Sequence, residues 1–178
     1  MESDLLDDDY TKDIDLSRHE KAAKRIGGKY GMISGAIGLT IAQLLFTFIL
    51  TTGGGMMNNF FWFLETGFGM NLLVGVMILF LLGNYVGQKA GKAIIVRKIN
   101  AGLIGVLTGC TVLVLTVFFA SWYGFFQEGI KNTGSIMDAF IAYVARPTIA
   151  IGMFGGLPAI IIGLWFGYTV KRKGERLM

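Results

Sequence analysis

Four long stretches of this chain carry no charged side chain: residues 30–50, 70–87, 101–123 and 147–169. A soluble fold would have to bury each of them on every side, which a chain of 178 residues cannot do. A bilayer can accept them. A hydrocarbon core about 30 Å thick is crossed by roughly 20 helical residues, and all four stretches have or approach that length. A closed β-barrel needs strict alternation of apolar and polar positions, and these runs do not alternate. The expected fold is therefore an all-α integral membrane protein, a bundle of four transmembrane helices. The acidic beginning of the chain does not read as a secretory signal, which starts basic and then turns apolar.

Basic residues set the expected orientation. Of the 16 Lys and Arg, 14 fall before the first stretch, between the second and third, or after the fourth. Lys131 and Arg146 alone lie on the other side. The positive-inside rule then places both termini in the cytoplasm of a multi-pass plasma-membrane or bacterial inner-membrane protein. Tyr85, Trp165 and Tyr168 lie near the inner ends of the spans, and Trp122 and Tyr123 near an outer end, the depths at which amphipathic rings settle.

The loops carry further signals. Residues 51–69 join Gly53, Gly54 and Gly55 to an aromatic run, Phe60 to Phe63, and read as a loop lying on the interface. In the second outer loop Ser135 and Asp138 have capping-box spacing, and Ile136, Met137, Phe140, Ile141 and Val144 follow. This predicts a short helix on the outer membrane surface, with Pro147 then opening the fourth span.

Three regions follow from the charge pattern: an acidic cytoplasmic tail, 1–16; a basic helix leading into the membrane, 17–29; and the four-span domain, 30–178. Ser17 and Glu20 have capping-box spacing, so a helix is expected to start at Ser17. Asp7, Asp8, Asp9, Asp13 and Asp15 mark the tail as a docking segment for a basic cytoplasmic protein, or as a merely solvated one.

Glycine is the second unusual feature. The chain holds 26, twice the ordinary share of about 7%. Many recur at helical spacing: Gly31 and Gly35, Gly83 and Gly87, Gly105 and Gly109, Gly163 and Gly167. Lipid provides no hydrophobic drive between helices, so close backbone approach must hold them, and glycine permits it. These faces serve packing within one chain, or between copies in a homo-oligomer. Pro158 falls inside the fourth span, where it removes a hydrogen bond and favours a kink.

The spans also suggest two tandem helical hairpins. A shift of 71 positions lays the first span on the third, matching Gly31 with Gly102 and Gly38 with Gly109. A shift of 83 lays the second on the fourth, matching Tyr85 with Tyr168 and Lys89 with Arg172. Chance likeness between apolar helices with basic ends is the competing explanation.

Motifs for chemistry are few. The single Cys110 and single His19 form no metal or disulfide pattern. No nucleophile–base pair, phosphate loop, cofactor motif or nucleic-acid signature is present. Gln43 and Asn84 are the polar residues of the first two spans, each expected to be satisfied by a hydrogen bond between helices. The composition favours a non-enzymatic membrane subunit, anchor or sensor of a larger assembly, working through its cytoplasmic face and using no cofactor and no metal. A small oligomeric channel or transporter is the alternative, and a lipid-modifying enzyme ranks behind both.

Overall fold

The computed structural model describes residues 2–50 and 69–176. They are helical throughout, with short turns and no strand. Helix α1 spans Glu2–Leu50, α2 Gly69–Ile95 and α3 Ala101–Gly124. α3 continues through a π-helical turn, Phe125–Gly129, into the short α4, Ile130–Asn132. α5, Ile136–Phe140, passes through a second π turn, Ile141–Ala145, into α6, Arg146–Gly174. Three continuous helical runs are long and apolar enough to cross a membrane: Gly69–Ile95, Ala101–Asn132 and Ile136–Gly174. They fit a multi-pass membrane protein. The first apolar stretch forms the last part of α1, and the loop at 51–68 lies outside the described residues.

Local chemistry explains these helices. In apolar surroundings a hydroxyl must find its partner nearby, and the carbonyl four residues back is the closest. Ser34 Oγ donates to the Tyr30 carbonyl at 2.8 Å, Thr40 Oγ1 to Ala36 at 3.0 Å and Ser121 Oγ to Val117 at 2.7 Å. Asn100 caps α3, its Oδ1 accepting from the backbone N–H of Gly102 at 2.9 Å and of Leu103 at 3.3 Å. Lys98, with φ of 53°, takes the left-handed conformation that usually falls to glycine.

Two expectations need correction. The helix expected from Ser17 begins at Glu2, so Ser17 sits inside α1 and caps nothing. The segment after Ser135 is helical, but it does not stand apart. It joins α6 through the π turn, and the Ser135 side chain makes no capping bond. The reason lies in Pro147, whose ring would strike the carbonyl of Tyr143, four residues back. A π turn stands just ahead of the proline, with the Arg146 N–H bonding back to the Ile141 carbonyl, and the helix continues past it. α6 also runs unbroken through Pro158.

The helices associate as two antiparallel pairs. α1 packs along α2 through Ala23, Gly27 and Gly31 against Gly83, Gly87 and Gly91. α3 packs along α6 through Ala101, Gly105 and Gly109 against Ala159, Gly163 and Gly167. At each glycine the facing atoms are backbone: a Cβ on Gly87 would lie 2.5 Å from the Gly27 carbonyl oxygen and 3.1 Å from the Gly31 Cα. Gly35 instead meets the Leu79 side chain, and Gly38 meets Ile162 of α6.

These contacts fix a repeat in a register other than the one read from the sequence. Ala23, Gly27 and Gly31 correspond to Ala101, Gly105 and Gly109, 78 positions on. Gly83, Gly87 and Gly91 correspond to Ala159, Gly163 and Gly167, 76 positions on. The shift of 71 aligned Gly31 and Gly38 with Gly102 and Gly109, and that of 83 aligned Tyr85 and Lys89 with Tyr168 and Arg172, whereas the packing aligns the crossings. The first and third helices then share Ala-x-x-Ile-Gly-x-x-x-Gly, at 23–31 and 101–109. Equivalent residues also meet in one core: Ala23 with Ala101, Ala90 with Phe166, and Ile94 with Val170.

The crossings make a direct prediction. Gly87→Ala drives a methyl into backbone that cannot turn aside, and should destabilise the fold by about 1–3 kcal/mol. Gly156, on the same helix as Gly163, has nothing within 4 Å of its missing Cβ. Gly156→Ala should therefore be neutral, or stabilising by up to ~1 kcal/mol through helix propensity. Thermal unfolding of both variants in one detergent measures the contrast. Equal effects would remove backbone contact as the organising interaction.

Candidate functional site

One end of the molecule gathers charge. The middle of α1, the ends of α2 and α6 and the start of α3 meet there over the core of Ala23, Ile94, Ile95, Phe166 and Val170. The apolar floor brings the helices together. The residues that flank it on α1 and α2 are charged, so they line up at its rim.

Glu20 is the centre of this rim. It was expected to complete a helix cap. Its carboxylate instead accepts from Lys24 at 2.7 Å, one turn along α1, and from Lys92 of α2 at 2.8 Å. The Lys24 hydrogen bond first, and then that from Lys92, hold its pKa down to about 2. A single carboxylate thus ties the part of α1 that leads toward the acidic segment to the end of α2. The i,i+4 pair with Lys24 was open to a reader of the sequence. The Lys92 contact was not, because it depends on how α1 and α2 cross.

Polar residues beneath the rim pair within their own helix. Gln88 Nε2 donates to Asn84 Oδ1 at 2.8 Å. Asn84 is therefore satisfied along α2 rather than across helices, since α1 offers only Gly28 at this point. Lys89 lies with its Nζ 4.4 Å from the centre of the Tyr85 ring, a cation–π arrangement. It borders a groove of about 250 Å³ between α2 and α3, lined also by Val86, Ala93, Ile104, Leu107 and Thr108.

The opposite end is aromatic. Trp122 contacts Phe118, Phe125, Phe126 and Phe140 at centroid distances of 5.3–6.0 Å, over buried Ala139 and Val144. Nearby polar atoms are less well served: Asn71 Oδ1, Thr116 Oγ1 and Thr148 Oγ1 are buried without a hydrogen-bond partner.

The structure brings Gly31, Gly83 and Gly87 together in one crossing and Gly105, Gly109, Gly163 and Gly167 in the other. Gly35 stands beyond the first crossing, and Pro158 is next to Ala159 at the edge of the second. The side chains of Asp7, Asp8, Asp9, Asp13 and Asp15 lie outside the described residues. Among the described residues, no three His, Cys, Asp or Glu side chains come together as a metal site. Comparison with known protein families, with curated proteins and with solved structures gives no match.

The Glu20 clasp predicts a pH dependence. Its folded-state pKa is lowered from 4.5 to about 2, so its contribution is complete above 4.5 and is lost as pH falls toward 2. The difference in thermal midpoint between the protein and Glu20→Gln should be small, constant from pH 8 to 5, and vanish by pH 2. It should also shrink in high salt, because the pair is partly exposed. A difference that persists at pH 2 would assign the effect to packing rather than charge.

Proposed function

We propose that this chain is a four-span membrane protein with both termini in the cytoplasm, acting as a non-enzymatic subunit that holds a soluble partner at the membrane. The observation that carries the reading is the continuity of α1 from Glu2 to Leu50. Its last part supplies the first span, parallel in role to the three apolar helical runs. The 28 residues from Glu2 to Lys29 extend the same rod out of the membrane by about 40 Å. The rod ends in the acidic run of Asp7, Asp8, Asp9, Asp13 and Asp15. A rigid, charged projection anchored on a membrane bundle suits docking. Catalysis would call for converging reactive groups, and the rim offers paired Glu and Lys.

The charge asymmetry supports the orientation, with 14 of the 16 Lys and Arg on the side of the rim. The glycine crossings support a bundle that holds together in lipid, where packing replaces the hydrophobic effect.

Two experiments test the proposal. In a Cys110→Ser background, single probes Asp8→Cys, Lys131→Cys and Lys173→Cys meet a membrane-impermeant maleimide. Lys131→Cys should label in intact cells, and the other two only after the membrane is opened; the reverse pattern would overturn the orientation. A photo-crosslinking residue in place of Asp8 should yield a discrete cytoplasmic adduct. Changing Asp7, Asp9, Asp13 and Asp15 to Asn should abolish that adduct while membrane insertion stays intact. An adduct indifferent to those charges would end the docking role.

A further inference from the structure

The repeat register exposes a mismatch between the two helix pairs. At equivalent positions the α1–α2 pair is polar and the α3–α6 pair is apolar. Lys24 and Lys29 correspond to Gly102 and Leu107, and Lys89 and Lys92 to Trp165 and Tyr168. Equivalent residues lie at one level, because Ala90 and Phe166, and Ile94 and Val170, share the same core. α2 meets its first basic residue at Lys89. The α6 counterpart of Lys89 is Trp165, six positions before Lys171, where the basic residues at the inner end of α6 begin. At 1.5 Å per residue, the polar boundary steps by about 9 Å around the bundle.

The step falls across the groove between α2 and α3. Its α2 wall carries Lys89, while its α3 wall carries Ile104, Leu107 and Thr108. Leu107 is exposed at that level. Lys92, one turn beyond, is engaged with Glu20. Lys89 leans on the face of Tyr85, and no carboxylate among the described residues pairs with it. The groove is thus cationic at one end and apolar along its length.

We propose that this groove binds one anionic phospholipid of the cytoplasmic leaflet, its phosphate at Lys89 and an acyl chain between Val86, Leu107 and Thr111. This rests on the membrane orientation proposed above. An amphiphile with one negative head and a narrow tail matches the chemistry on both walls. Basic pockets between membrane helices on the cytoplasmic side select such head groups. A lysine at this depth gains by reaching along its stem toward a phosphate, since the neighbouring α3 surface offers it nothing polar except Thr108 and Thr111.

The experiment is a titration of the full chain in mild detergent, with lipid adducts counted by native mass spectrometry. Phosphatidylglycerol should be retained in preference to phosphatidylcholine at one lipid per chain. Lys89→Gln should lower the apparent affinity for phosphatidylglycerol about tenfold and leave phosphatidylcholine unchanged. Thr108→Phe, which fills the groove, should weaken both lipids. Lys171→Gln, on the exposed end of α6, should change neither. Unchanged thermal midpoints for the variants show that the fold is retained. The proposal is overturned if Lys89→Gln binds phosphatidylglycerol as the parent does, or if Lys171→Gln weakens it equally. It is also overturned if inorganic phosphate alone displaces the lipid at millimolar concentration, or if the groove is covered by a second chain. The maleimide pattern is read independently, so a correct orientation with no selective lipid removes the groove proposal alone.

Discussion

Backbone touching backbone at two glycine crossings is the constraint from which the other features follow. In lipid the apolar side chains are as well solvated apart as together, so helices associate where dispersion contacts are densest. Glycine on both partners lets a carbonyl oxygen of one helix sit where the other would carry a Cβ. Gly27 with Gly87 and Gly91, and Gly105 with Gly163 and Gly167, do this in the two pairs. Once those helices are drawn in, the flanking positions cannot avoid each other. Ala90, Ile94, Phe166 and Val170 become a core because the crossings leave room for nothing else. Away from the crossing the demand relaxes. Gly155 is met by the Leu113 side chain, and Gly152 and Gly156 face open space on the same helix.

The same scaffold wears two different surfaces. The repeat preserves the small residues at the crossing and little around them. Where one pair carries Lys29 and Lys89, the other carries Leu107 and Trp165. Packing and solvation have therefore been set separately, by different faces of the same helices. A helix can change its outer face freely so long as its crossing face stays small. That separation is what allows one side of the bundle to turn polar about two helical turns before the other.

Much of this architecture was legible, and the misses share a cause. The apolar stretches and the glycine spacings are local properties that a linear reading captures. A repeat was suggested too, but in another register, through matches such as Gly31 with Gly102 and Lys89 with Arg172. Charge marks where a helix meets water, whereas Ala23-x-x-Ile26-Gly27-x-x-x-Gly31 marks where it meets a helix. The two landmarks differ by seven residues in each pair, and only the second is shared by Ala101 to Gly109. Glu20 was misread for a similar reason. Its spacing from Ser17 fits a helix start, but spacing cannot say that the helix is already running. Lys92, the partner that gives Glu20 its role, lies 72 positions away and becomes visible only when α1 and α2 are laid together. The continuity through Pro147 escaped notice because a proline ordinarily marks a boundary. Here a π turn stands just ahead of it and the helix runs on.

The ion pair and the crossing also bear on each other. Glu20 lies less than one turn before Ala23, the first residue of the α1 crossing face. Its bond to Lys92 therefore holds α1 against α2 just where the backbone contacts begin. Rotation of α1 about its own axis would replace Gly27 at the contact by Ile26 or Lys24, and neither side chain fits beside the Gly87 and Gly91 backbone. Sliding by one turn would bring Gly31 to the place of Gly27 in one direction and Ala23, with its Cβ, in the other, and either slide would break the Glu20 clasp. The glycines thus fix which face α1 presents, and the carboxylate adds to the contacts that hold its position along the axis. A partner bound to the outer part of α1 would pull on the bundle where Glu20 and Lys92 join α1 to α2.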